Sequence, residues 1–580
     1  MPGARTAWTA WAGHALRPRA LPVDRPLAIR GAIGISVPLA IGLATGHPAY
    51  GAVAALGAYG AALDDSSAPY RVRALNLFWP QLASAVGLCL GRFAGGQAWA
   101  EILLMGCVAL VSALISRIGP VSSLSGLVLL LASVSGLGMP TDEPWWKLPL
   151  LFFVGGVPLA LMSLAGWPAQ RHRAERATVA AAYRAAADLV AAPAAPADQR
   201  REARRRLTAV MDQAYDLLVV RRLRAPAPRS PVGRLVARLD ALIAVLAALP
   251  SVRDAAPEVR ERYAARLRAL ADSHGTPAPW DPPGEGPLDR ALREAALDGP
   301  ALRGGHLDPP PGRGPLDPPP GRDRLGPHPA PLRRLRTVLD DVLRTPATWS
   351  FAVRLSAGIA VAQAVASLSG LPKSPWLVVT VALVLRPDLG TVTARVLLRG
   401  LGTLGGVLVG AGILALVPDG WWRIPVIAVL LASLQAVGRR TYVLQCLFLT
   451  PIMILLADAM GHQGESLAGY RMLDVLIGCA IALAFGYLLW PDELPARIRR
   501  QFGALEQDLA EYGACAPAGD RNAVHIARRR AHQRIARLHE ELSRARTDPR
   551  HHGSLDGWRS ELAAAEDRMD QLTHAYAHHT

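Results

Sequence analysis

Residues 374–406 read SPWLVVTVALVLRPDLGTVTARVLLRGLGTLGG, and this stretch decides the fold. Its apolar run, 375–385, stops at Arg386-Pro387-Asp388. Eleven helical residues reach only about 17 Å, against the roughly 30 Å of a bilayer's hydrocarbon core. Beyond the break, Arg395 and Arg399 stand four apart and share one helix face. Gly402, Gly406 and Gly410 follow at the same spacing and let another backbone approach closely, within the bundle or across a homodimer. A short apolar helix, a proline break, ionisable groups at the break and a glycine-striped return helix describe the lining of a route through a membrane.

Outward from this hairpin, apolar residues gather in two blocks, 27–167 and 349–490. A chain of 580 residues with 51% hydrophobic content exceeds what one soluble core organises. Twelve candidate spans follow, near 27–46, 48–63, 74–92, 98–116, 119–138 and 146–167, then near 350–370, 374–387, 392–416, 421–437, 440–457 and 470–490. The expected fold is all-α: a polytopic membrane protein of two six-helix bundles. The blocks share a pattern, since Arg30-x3-Gly34-x11-Gly46-x-Pro48 recurs as Arg354-x3-Gly358-x11-Gly370-x-Pro372. Each copy continues into a short apolar segment headed by Tyr50 or Trp376, and each then meets ionisable residues, Asp64-Asp65 or Arg386-Pro387-Asp388. Six spans per copy make this a parallel repeat, and paired interrupted spans point to a transport site between halves.

The net charge of +17 is almost all arginine, Lys147 and Lys373 being the only lysines. No basic stretch is interleaved with aromatics, so nucleic acid is not an expected partner. Loops on one side are flanked by Arg17, Arg19, Arg25, Arg71, Arg73, Arg117, Arg171, Arg173 and Arg176, joined in the second block by Arg395, Arg399, Arg439, Arg440, Arg497, Arg499 and Arg500. The other side keeps Arg92, Lys147, Lys373, Arg423 and Arg471. The positive-inside rule then places both termini in the cytoplasm. The five cysteines make neither a disulfide framework nor a zinc spacing. His574 and His578 lack a third ligand, so no metal is expected.

Outside the spans, 1–26 reads as a cytosolic segment and 168–273 as cytosolic helices. Ser230 followed by Pro231 is a helix start, and Leu235, Leu239, Leu242 and Leu246 form its apolar stripe. Residues 274–330 form a Pro/Gly-rich linker holding the tandem GHLDPPPGR, GPLDPPPGR at 305–322. A connecting helix at 331–348 leads into the second block, and 491–580 reads as a C-terminal helical region.

Trp376, the VVTVALVLRPD string at 378–388, Thr391, Arg395 and Arg399-Gly400-x-Gly402-Thr403-x2-Gly406 resemble the signature of the fusaric acid resistance (FUSC) family. That family includes aromatic acid efflux proteins and is distantly similar to plant malate channels. The resemblance implies an exporter of small organic, often aromatic, acids in the cytoplasmic membrane, with an adaptor protein as a partner in double-membrane bacteria. The first block departs from the signature, carrying Asp64-Asp65 where the second has its RPD.

The chemistry agrees with an anion route. Arginine stays charged and forks onto carboxylates. The candidate pathway residues are Arg386, Asp388, Arg395, Arg399, Trp376, Asp64 and Asp65. The alternatives are that the arginines snorkel to headgroups, that Asp388 pairs with Arg395 or caps a helix, and that Trp376 belongs to an interfacial belt. Asp458 and Asp474 read as surface charges. No GxxxxGK[ST], HExxH or GxSxG occurs, and neither an enzyme nor a cofactor is expected. The other function class is a membrane scaffold whose cytosolic helices recruit partners.

Overall fold

The computed structural model describes residues 25–64, 70–94, 96–138, 144–165, 172–191, 197–215, 217–218, 230–248, 255–272, 286, 288–289, 291–293, 339–340, 342–369, 375–385, 392–461, 464–488, 494–515, 521–545 and 555–579. Among them every regular element is a helix. The apolar runs of the first block fold as α1 (Arg25–Ala44), α2 (Pro48–Asp64), α3 (Tyr70–Ala94), α4 (Ala98–Ser116) and α5 (Pro120–Leu137). The sixth is broken by a glycine pair into α6 (Lys147–Gly155) and α7 (Val157–Ala165). Among the described residues seven helices are long and apolar enough to cross a membrane, and the protein is an all-α, multi-pass membrane protein.

The second block begins with α12 (Pro346–Leu368), α13 (Trp376–Val384) and α14 (Val392–Leu416). It ends with α15 (Arg423–Ala436), α16 (Tyr442–Ala459) and α17 (Gly464–Leu483), the last extended by a π-turn at Ala484–Leu488. Proline starts α2, α5 and α12, where its missing N–H costs nothing. The nine residues of α13 are apolar but for Thr380, and Leu377–Ala382 and Val384 are all buried. A helix buried on every side has no lipid to match, which is why so short an element is stable here.

The twelve segments belong to one unit, Met1–Ala169 with Leu335–Glu493. Its two sets of six are interleaved. Within the first set α1 packs on α2, α3 on α5, α4 on α5 and α2 on α6. Within the second, α12 packs on α13, α14 on α16, α15 on α16 and α13 on α17. Between them, α1 lies on α15 while α12 lies on α4, and α2 meets α16 while α13 meets α5. Each of these pairings in one set thus has its counterpart in the other.

Two apolar cores result, and each draws on both sets. One joins Met105, Val108, Leu130 and Val134 to Leu355, Ile359 and nearly all of α13. The other joins Ile35, Leu39, Ala55 and Leu159 to Leu431, Leu434, Ile452 and Leu455. Polar ties cross the same contact: the Ser356 hydroxyl donates to the Gly106 carbonyl at 2.7 Å, and the Gln435 amide donates to the Ala62 carbonyl.

The second unit is Gln170–Arg334 with Leu494–Ser543 and Gly553–Thr580. It holds α8 (Arg173–Ala191), α9 (Ala197–Tyr215), α10 (Pro231–Ala248) and α11 (Pro257–Asp272), and then α18 (Leu494–Cys515), α19 (Arg521–Ala545) and α20 (Leu555–His579). The Ser230 hydroxyl accepts the Gly233 N–H at 3.0 Å and starts α10, whose Leu235, Leu239 and Leu242 are buried against Tyr183 and Leu267. The tandem at 305–322, His574 and His578 carry calls that lie outside the described residues or their described side chains.

Candidate functional site

The break after α13 returns the chain as α14, and the spacing of Arg395 and Arg399 places both on the face turned into the protein. They are 4% and 6% exposed, so neither side chain reaches out to headgroups. Arg399 extends across to the short helix. Its Nε and Nη2 lie 3.4 and 3.3 Å from Thr380 Oγ1, and its Nη1 lies 3.5 Å from the Tyr442 hydroxyl. Among the described residues no carboxylate pairs with it. A guanidinium offers five N–H donors, and these contacts sit at the long end of the hydrogen-bond range. The group is therefore charged, buried and only loosely satisfied by neutral oxygens.

Tyr442 is the first residue of α16, and Thr441 caps that helix by accepting the Leu444 N–H at 3.4 Å. The N-terminal end of α16, with its partial positive charge, thus meets the same cluster as Arg399. Arg395 lies one turn earlier on α14, on the same buried face. Cys479 of α17 completes the surroundings, its Sγ 4.0 Å from the Val396 carbonyl. Two guanidinium groups, two hydroxyls and a helix N-terminus converge here, a set of donors suited to a carboxylate. With Arg399 6% exposed the site as it stands is closed, and a solute would enter only after neighbouring helices move.

The other sequence-derived site residues fall as follows. Trp376 opens α13, is partly buried and is packed against both apolar cores. Arg386, Asp388 and Asp65 lie outside the described residues, and Asp64 ends α2 with its side chain outside them too. The glycine stripe lies on α16. A Cβ at Gly402 would stand 2.6 Å from the Val443 carbonyl oxygen, one at Gly406 2.6 Å from Thr450 Cβ, and one at Gly410 3.0 Å from Ile454 Cδ1. Asp458 pairs with Arg423, and Asp474 is 4% exposed. The surface reading of Asp474 is therefore corrected: its place on α17 turns it into the bundle, where flanking an apolar run had pointed to a loop.

Thr380, Tyr442 and Cys479 were not anticipated. Thr380 reads as one more strand-like residue of an apolar run. A signal for Tyr442 did exist, since Thr441 before an apolar run is a helix start. In the first set the corresponding pair of helices, α2 and α3, is tied by a neutral group: Gln81 Nε2 donates to the Gly57 carbonyl at 2.6 Å. The buried charge belongs to the second set alone in this comparison.

Residues 359–485, which contain this site, match the family described as fusaric acid resistance protein-like. Inner membrane protein YccS of Escherichia coli (strain K12) is 30% identical over 211 residues, 35% of this chain and 29% of the relative. The uncharacterized membrane protein YvaC of Bacillus subtilis (strain 168) is 25% identical over 496 residues, 82% of this chain and 74% of the relative. The uncharacterized protein YhfK of Escherichia coli (strain K12) is 29% identical over 159 residues, 27% and 22% of the two chains. The match thus spans under a third of YccS and about three quarters of YvaC. No solved structure matches.

Proposed function

We propose that this chain, carrying a fusaric acid resistance protein-like domain over residues 359–485, exports small organic, chiefly aromatic, acids. Passage is secondary or channel-like, across the cytoplasmic membrane, with both termini in the cytoplasm. One observation carries the reading: Arg399 is a buried cation inside a membrane-spanning unit, touched among the described residues by neutral hydroxyls. A charge at membrane depth is costly on insertion scales, about 2.5–3.5 kcal/mol, and marks a functional site by default. An organic carboxylate supplies the missing counter-charge. Thr380 and Tyr442 orient it, Arg395 adds to the field, and the α16 N-terminus points the same way. Arg386, Asp388, Asp64 and Asp65 remain proposed members of the route, and Trp376 a ring on which an aromatic solute can stack.

The recurrence of helix pairings between the two sets supports a two-half architecture of the kind that rocks about a central site. Since the guanidinium occurs in the second set and an amide in the first, one anion site per chain is expected.

The test is efflux of a panel of substituted benzoates from vesicles holding the purified protein. Arg399→Ala should lower the rate by an amount equal to losing hydrogen bonds to a charged group, about 1.5–3 kcal/mol or roughly 10- to 150-fold. Arg399→Lys should retain part of it, because charge survives while the planar fork is lost. Wild-type rates in Arg399→Ala for every transported acid would remove the anion site from this cluster.

A further inference from the structure

Glu101 is a carboxylate that the anion route does not use. It stands in the first turn of α4, a helix of mean hydropathy 2.1, and is 2% exposed. Its Oε1 accepts the Gly96 N–H at 3.2 Å. Its Oε2 accepts the Ser367 hydroxyl at 2.7 Å and Gln363 Nε2 at 3.3 Å. Gln363 also donates to Ser367 Oγ at 2.9 Å, which turns the serine proton toward the carboxylate. Gln363 and Ser367 belong to α12, so this cluster ties the fourth helix of one set to the first helix of the other. A cavity of about 30 Å³ lies against all three side chains, the room of about one water molecule.

Comparison of the two sets singles this position out. On α4 the buried residues Met105, Val108, Ala109, Ser112 and Ala113 have the same spacing as Ile427, Leu430, Leu431, Leu434 and Gln435 on α15. Carried back one turn, that register puts Arg423 where Glu101 stands. Arg423 meets the carboxylates of Asp419 and Asp458, charge against charge. The described hydrogen bonds to the Glu101 carboxylate come from an amide, a hydroxyl and a backbone N–H, all of which donate. Donors of that kind fit the ionised carboxylate and not the acid. Two of the three ride on α12. If α12 parts from α4, the carboxylate loses both of those donors, and the charged form loses hydrogen bonds that favour it.

The helices packed around Glu101 add few other charges. Of the residues facing it, α12 contributes neutral Gln363 and Ser367, with Arg354 more than two turns away. Neither α5 nor α13 contains an ionisable residue. On α3 the cation of the last turn is Arg92.

We propose that Glu101 is a proton-binding site that controls the contact between α4 and α12. The carboxylate is ionised while the helices are packed, and as they part it takes a proton from hydronium in the water that enters: an O–H bond forms at the carboxylate and one O–H bond of hydronium breaks, leaving water. The inference is independent of the anion site, and its test contains no organic anion.

Purified full-length protein is treated with a hydrophobic carbodiimide, which modifies protonated carboxyl groups in apolar surroundings, and modification of Glu101 is counted by peptide mass spectrometry. Labelling is expected to rise as pH is lowered from about 8.5 to about 5.5, by about tenfold per unit wherever the group is mostly ionised. Ser367→Ala should raise it at fixed pH. A cysteine pair reports the contact itself, because a Cβ at Gly106 would stand 3.6 Å from Ser356 Oγ. With the five native cysteines replaced by serine, Gly106→Cys with Ser356→Cys should cross-link less at low pH, and adding Glu101→Gln should remove that dependence. Absence of label at every pH overturns the proposal. So does cross-linking whose pH response is the same with Glu101→Gln as without it; Glu101 would then be a fixed cap and tie. The labelling arm uses the unmutated chain and so survives a variant that fails to fold.

Discussion

The residues that matter most here are polar side chains held inside apolar helices, and what each does depends on who answers it. Arg399 is answered by two hydroxyls, and removing those should cost less than removing the cation. Thr380→Val and Tyr442→Phe should each lower aromatic-acid efflux by about 0.5–1.5 kcal/mol, roughly 2- to 12-fold, measured in the same vesicle assay. An effect as large as that of Arg399→Ala would mean that the hydroxyls bind the solute directly. In the second unit, Tyr263 donates to buried Asp289 at 2.9 Å, and burial together with that carboxylate pushes the phenol up to about 12. A pKa raised on folding contributes stability that is complete below the ordinary tyrosine value near 10 and fades as pH climbs toward 12. Thermal unfolding of the full chain followed over that window should fall more gently in Tyr263→Phe. An unchanged slope would show that the phenol carries no linkage. Legibility was uneven at this scale. Arg395 and Arg399 stand out in the sequence because a charge in an apolar run is conspicuous. Whether such a charge is buried is set by the other helices that pack on its own, which is why Asp474 was misread as a surface group. Glu101 went unremarked because an acid in a first turn looks like an ordinary helix start.

At the scale of the element, short helices and glycine seams explain each other. A helix of nine residues can sit at membrane depth only if neighbours surround it, and α13 meets α5, α12, α14 and α17. Close approach is made possible by glycine: a Cβ at Gly478 of α17 would stand 2.9 Å from the Leu377 carbonyl oxygen of α13. The seam between α14 and α16 is tighter still at Gly402 and Gly406. Gly406→Leu should overpack it and lower stability by about 1–3 kcal/mol, visible as a reduced melting temperature and folded yield in detergent. Gly412, whose Cβ would meet nothing within 4 Å, is the control, and Gly412→Leu should leave both unchanged. Equal effects at 406 and 412 would assign the loss to helix chemistry instead of the seam. The apolar runs and the glycine spacing made these elements readable in advance, since both are local. Which helix a glycine face would meet was not readable, because periodicity defines a face and says nothing of its partner.

At the scale of the molecule, the two sets of six helices interleave within one unit. Residues 1–334 and 335–580 made as separate chains should give a folded membrane unit only when co-expressed, with the two fragments purifying together. A stable first fragment on its own would show that α1 and α4 do not need their partners. A reporter inserted within 305–322 and another fused after Thr580 should both signal cytoplasm; a periplasmic signal from either would overturn the orientation proposed above. Interleaving also sets a schedule for synthesis. The face of α4 that receives α12 leaves the ribosome some 230 residues before its partner does. At the usual 5–20 residues per second that is a wait of about 10–50 s. For that interval Glu101 has no Ser367 or Gln363 beside it, and α4 must be inserted with its acid in some other company. The nascent first half is thus an unfinished surface, dependent on lipid or on the insertion machinery until the second half arrives. The long stretch between the halves lengthens that dependence with every residue it contains.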